Sequence, residues 1–200
     1  MNPLLRWSRR IARAGAWLGG LLIIAAALLV GVEVVIRKAF SISIGGADEL
    51  SGFALAISTS WALAFALLER AHIRIDSLYV HLPVRLCALL DLLAVAVFTV
   101  FIALIAWYGF GVFATSYQLG ARSLSPLRTP LVVPQLLWVL GFAMFLAVAL
   151  ILFVRALLAL IAGDHAMVRR LVGSRDVTEE LAVELADLGH DGPPHPDRPR

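Results

Sequence analysis

Charged and hydrogen-bonding residues at the ends of long apolar runs are the groups in this sequence best suited to chemistry. Glu33 and Arg37 stand near the end of the first apolar run, four residues apart, so they share a helix face and can form an ion pair. Glu49 opens the second apolar run. Three more polar candidates follow that second run in the segment AHIRIDSLYVHLP: His72, Arg74 and Asp76. Because all six lie near the ends of the runs, we interpret them as structural groups or as groups at an interface between subunits.

Sequence motifs of enzyme chemistry are missing. The chain has no nucleophile elbow, no phosphate-binding loop and no Cys/His spacing typical of a metal site. Its one cysteine, Cys87, excludes a disulfide framework and a metal site built of thiolates. The five histidines all lie outside the apolar runs, which argues against a haem held between transmembrane histidines. We therefore predict no catalytic residue, no cofactor, no metal and no nucleic-acid partner.

The composition predicts an all-α membrane protein. Of the 200 residues, 60% are hydrophobic and 16% are charged, and the mean hydropathy is +0.88. Soluble domains are closer to half apolar and a quarter charged. The excess is concentrated in blocks long enough to cross a bilayer as helices. We predict a transmembrane domain over residues 17–160, with four spans at about 17–36, 50–68, 86–108 and 134–160.

We predict a different structure for each of three segments outside the spans. Residues 1–16 form a basic amphipathic segment suited to the lipid headgroup region, although a simple role in setting the orientation explains them equally well. Residues 71–82 are too polar to span and predict a short interfacial helix. Residues 161–200 are expected to form a polar cytoplasmic tail that is partly disordered.

The second span is rich in small and hydroxyl-bearing residues. In lipid, close approach at small residues and hydrogen bonds between helices provide most of the attraction between helices. The residues in question are Ser51, Gly52, Ser58, Thr59, Ser60, Ala62 and Ala64. This span is therefore predicted to contact other helices.

The distribution of basic residues predicts the orientation. Eleven Arg residues lie in the N-terminal segment, between spans two and three, and from Arg155 near the end of span four to Arg175. Only four Arg and Lys residues lie in the other two loops. The positive-inside rule places the larger set, and with it both termini, in the cytoplasm.

Several motifs, taken in order, resemble the small membrane subunit of tripartite ATP-independent periplasmic (TRAP) transporters, the DctQ-like family. The resemblance covers roughly residues 17–160. The similar segments are VEVVIRKAF at 32–40, DEL at 48–50, AHIRIDSLYVHLP at 71–83 and the proline-led TPLVVPQLLWVLGF at 129–142. Two positions depart from the family pattern, because Ala62 and Arg70 stand where the family often has glycine.

The resemblance implies a multi-pass protein of the bacterial inner membrane. Its partners would be a large permease subunit, a periplasmic substrate-binding protein acting through the assembled complex, and membrane lipid. The small subunit would act as a scaffold for sodium-coupled uptake of an organic acid, often a carboxylate. The alternative is a membrane anchor for another inner-membrane complex, such as a respiratory enzyme, which would require cofactor ligands within the spans.

Overall fold

The computed structural model describes residues 3–69 and 82–172, and the described residues fold into five helices. The helices are α1 (Pro3–Phe40), α2 (Ala47–Leu68), α3 (Val84–Leu119), α4 (Val132–Ile161) and α5 (His165–Val172). The first four are long and apolar enough to cross a membrane, which confirms the predicted all-α membrane fold. The predicted interfacial helix at 71–82 and most of the tail lie outside the described residues.

The four long helices pack in the order α1, α2, α4, α3. Helix α1 packs along α2, α2 also packs on α4, and α4 packs on α3. Helix α5 lies against both α3 and α4. The two central helices are therefore α2 and α4, whereas α1 and α3 lie at the two edges and expose apolar side chains along much of their length.

The hydrophobic core includes residues of all five helices, most of them on α3 and α4. Phe145 of α4 is 1% exposed and meets Phe98 of α3 edge-on, with ring centroids 5.6 Å apart. Val168 of α5 is fully buried in the same cluster. Asp91, also on α3, is 1% exposed.

Helix α1 is longer than the predicted first span because the basic N-terminal segment is continuous with it. The helix begins at Pro3 and contains four glycines that could have interrupted it. Two of them instead lie directly against α2. An added Cβ at Gly15 would lie 2.5 Å from Trp61, and one at Gly19 would lie 3.1 Å from Ser58. Close helix packing explains these glycines, so the helix continues through them.

Helix α3 also extends beyond its predicted end near Tyr108. It has 36 residues, about 54 Å at 1.5 Å per residue, and ends at Leu119. Gly109, the first residue after the predicted span, provides room for the ring of Trp138, which would lie 3.0 Å from an added Cβ. The eleven residues 109–119, expected in a loop, are therefore helical.

The beginning of the predicted polar tail is part of the packed structure. Gly163, with φ of 75°, ends α4, and the amide of Asp164 donates to the carbonyl of Ala159 at 2.9 Å. The Asp164 carboxylate then accepts from the amide of Met167 at 2.9 Å, which caps the start of α5. The chain reverses at this point and α5 folds back onto α3 and α4.

Candidate functional site

Glu33 lies at the end of α1 and organises the loop that leads to α2. Its side chain is 3% exposed. One carboxylate oxygen accepts from Arg37 Nη2 at 2.6 Å and from Ser43 Oγ at 2.7 Å. The other accepts from the amide of Ile44 at 2.8 Å. A single carboxylate therefore fixes both the side chains and the backbone of the loop between the first two helices.

Arg37 is the exposed member of this group. Its guanidinium donates to Glu33 through Nε at 3.2 Å as well as through Nη2, so the predicted ion pair is present. Arg37 nevertheless keeps 58% of its side-chain surface exposed. It is thus held in a fixed position by Glu33 while facing away from the bundle.

Glu49 has a similar role for a different loop. It lies in the first turn of α2 and accepts from Ser123 Oγ at 2.6 Å. Ser123 belongs to the connection between α3 and α4, where its hydroxyl also accepts from the amide of Ser125 at 3.0 Å. Glu49 therefore joins the start of α2 to a loop that is 74 residues further along the chain.

Two glycines allow the two loops to touch directly. Gly45 and Gly46 have φ of 68° and 155°, a region that favours glycine. An added Cβ at Gly45 would lie 3.4 Å from Pro126, and one at Gly46 would lie 2.6 Å from Leu127 Cγ. We call the surface formed by residues 41–46 and 120–131 the two-loop platform. It closes the end of the bundle where α1 and α3 finish.

The candidate residues from the sequence are thus brought together only in part. Glu33 and Glu49 both support the two-loop platform, but each binds a different loop. His72, Arg74 and Asp76 lie outside the described residues. Within residues 3–69 and 82–172, no group of three His, Cys, Asp or Glu side chains is placed to hold a metal ion.

A contact between three helices, centred on Trp61, did not emerge from the sequence. The Trp61 ring lies against Gly15 of α1, and its indole N–H donates to the carbonyl of Leu137 in α4 at 3.0 Å. Next to it, Ser60 packs against Gly141 of α4. Ser58 donates to the carbonyl of Gly19 at 2.8 Å.

The prediction that the second span contacts other helices is confirmed. The glycines in spans one and four were a signal for where the contacts form.

An ion pair joins α1 and α2 at the opposite end of the bundle. Arg9 Nη2 lies 3.0 Å from Glu69 Oε1, and both side chains are partly exposed. Together with the Glu33–Ile44 bond, this pair fixes the register of the antiparallel α1–α2 hairpin at both ends. A partly exposed pair of this kind contributes little to stability, under about 1 kcal/mol.

The four long apolar helices, with Glu33 and Glu49 bonded to the two described loops, define a multi-pass helical membrane protein. The family model described as "Tripartite ATP-independent periplasmic transporters, DctQ component" matches residues 26–159, about two thirds of the chain. The chain therefore belongs to the DctQ family, which is a transporter component and not an enzyme family. A search for similar curated proteins and a search for similar solved structures found no match.

Proposed function

We propose that this chain is the small permease subunit of a TRAP-type secondary transporter in a bacterial inner membrane, with both termini in the cytoplasm. In this role it scaffolds a large permease subunit. The complex takes up an organic acid, coupled to sodium, after a periplasmic binding protein delivers it. The family match over residues 26–159 is the observation that carries this proposal, because it includes the end of α1, all of α2 and α3, and nearly all of α4.

The placement of charge supports a scaffold and not an autonomous carrier. Among the described residues, Glu33 and Glu49 are bonded near helix ends to the two loops of the platform. Asp91 is buried near the start of α3. Transporters that carry ions usually bind them near the membrane centre, at broken helices. Here the DctQ-matched helices α2, α3 and α4 are each continuous, so substrate and sodium sites are assigned to the large subunit.

Of the six candidate interface residues, Arg37 is the one we place in direct contact with a partner subunit. Its exposed guanidinium is held in position by a buried carboxylate. Glu33 and Glu49 contribute indirectly, because they shape the loops around it. His72, Arg74 and Asp76 remain candidates for the same interface.

The test is co-purification followed by transport. The tagged small subunit is expected to retain the large permease subunit in mild detergent. Liposomes holding both subunits should take up substrate when the binding protein and an inward sodium gradient are present. Liposomes with either subunit alone should not. Uptake by the small subunit alone, or failure of the two subunits to co-purify, would contradict the proposal.

A further inference from the structure

The connection between α3 and α4 is a preorganised hairpin, which we call the 121–131 hairpin. The amide of Ser123 donates to the carbonyl of Thr129 at 2.9 Å, and the amide of Leu131 donates to that of Ala121 at 3.0 Å. Between these bonds, the amide of Arg128 donates to the carbonyl of Ser125 at 3.1 Å. Backbone bonds of this kind fix the shape of the loop before any partner binds, which lowers the entropic cost of binding.

The base of the hairpin is held by the rest of the chain. Ser123 is bonded to Glu49, and Pro126 and Leu127 lie over Gly45 and Gly46. These contacts use one side of the hairpin. The opposite side is left free to present side chains in fixed positions.

Leu124 is the most exposed large apolar side chain at this end of the bundle, with a relative exposure of 105%. Two exposed arginines, Arg122 and Arg128, belong to the same short hairpin. The Arg122 guanidinium donates to the carbonyl of Arg128 at 3.4 Å, so the two arginine positions are connected across the hairpin. A hairpin that carries two exposed arginines is poorly suited to hydrocarbon. It is well suited to a small apolar patch with an acidic rim on a protein.

We propose that Leu124, flanked by Arg122 and Arg128, is a docking point for the acidic surface of a soluble substrate-binding protein. This proposal rests on the function and orientation proposed above, which place the hairpin on the periplasmic side. The two arginines would attract the carboxylates of the partner and raise the association rate, and Leu124 would be buried in the complex. The large permease subunit and the lipid surface are the other possible occupants.

The test uses the complex of the small and large subunits in nanodiscs and the cognate binding protein in solution, measured by biolayer interferometry. Leu124→Ser is expected to weaken binding about tenfold, because burial of a leucine side chain is lost. Ile42→Ser is the matched control, since Ile42 is an exposed apolar residue of the other platform loop, at 62% exposure. It should change affinity by less than about twofold, as expected for a surface substitution outside the contact.

Charge reversal tests the arginines separately. Arg122→Glu and Arg128→Glu are each expected to slow association and to reduce its dependence on salt, with a smaller effect on dissociation. Lys38→Glu is the control of equal charge change outside the hairpin. An effect of Lys38→Glu as large as that of the hairpin variants would overturn the specific role of the hairpin.

Two further outcomes would refute the docking proposal while leaving the proposed function intact. The first is an unchanged affinity of the Leu124→Ser complex for the binding protein, which would mean that Leu124 contacts the lipid surface instead. The second is failure of the Leu124→Ser variant to co-purify with the large subunit, which would mean that the hairpin contacts the large subunit instead. If the unaltered subunits do not co-purify, the proposed function itself fails, so the two failures are distinguishable.

Discussion

Replacement of Gly141 by alanine tests the closest contact between the two central helices. An added Cβ would lie 2.8 Å from Ser60 Cβ and 2.9 Å from Trp61 Cδ1, well inside the 3.5–4.0 Å at which carbon atoms attract. The Ser60 Cβ atom is fixed to its backbone, so α2 and α4 must move apart. Overpacking of this kind costs about 1–3 kcal/mol. Loss of the Trp61–Leu137 hydrogen bond would add about 1 kcal/mol.

Gly20→Ala is the matched control because nothing lies within 4 Å of an added Cβ there. In this variant only helix propensity changes, which favours alanine by about 1 kcal/mol. The same gain offsets part of the cost at Gly141, so Gly141→Ala should still lower the free energy of unfolding by about 1–3 kcal/mol. The two substitutions are therefore expected to act in opposite directions.

The assay is reversible unfolding of the purified chain in mixed micelles, followed by tryptophan fluorescence. Ser60→Gly removes two of the three atoms nearest to the added Cβ, so the double variant with Gly141→Ala should recover part of the lost stability. Equal stabilisation by Gly20→Ala and Gly141→Ala would refute the close α2–α4 contact. A double variant that is only as stable as the additive sum would show that Ser60 does not cause the clash.

Two other predictions concern the loops. Glu33→Gln should increase hydrogen exchange at the Ile44 amide, because glutamine keeps only one acceptor oxygen, whereas the carboxylate uses one oxygen for Arg37 and Ser43 and the other for the Ile44 amide. Arg37→Ala should change that exchange less, since it leaves the bonds from Ser43 and Ile44 in place; equal effects of the two variants would contradict this assignment. Reporter fusions after residues 45 and 125 should give a periplasmic signal, and fusions after residues 14, 80 and 165 a cytoplasmic one. A periplasmic signal at 14, 80 or 165 would overturn the orientation drawn from the basic residues.

The number of spans could be predicted from the sequence because a bilayer imposes a length and a polarity that are visible in one dimension. The helix ends were less predictable. Gly109 reads as a break in a linear sequence, and only the position of Trp138 explains why a helix continues through it. From the sequence, the basic N-terminal segment is predicted to be separate from the first span. Its ion pair with α2 was not predictable, because Glu69, the partner of Arg9, is 60 residues away in the sequence.

The candidate site was predictable only where the interaction is local. The Glu33–Arg37 pair follows from helical spacing, and it is present. The bonds from Ser43 and Ile44 to Glu33, and from Ser123 to Glu49, depend on how the loops fold back. Spacing along a helix carries no information about them. Helical spacing therefore identifies Glu33 and Arg37 as a pair, whereas the loop that each carboxylate binds depends on the fold.

The packing order α1, α2, α4, α3 has a consequence for biogenesis. Helices α1 and α2 can pair as soon as both have left the ribosome, because their ends are joined by the Glu33–Ile44 and Arg9–Glu69 contacts. Helix α3 is synthesised next, yet its main neighbour among the described helices is α4, which comes later still. Until α4 is inserted, two surfaces lack the helix that they pack against in the finished fold. One is the side of α2 that carries Ser60 and Trp61, and the other is the side of α3 that carries Leu92. A nascent chain halted before Val132 would therefore leave both surfaces open to membrane quality control, and the last span completes both halves of the fold in a single step.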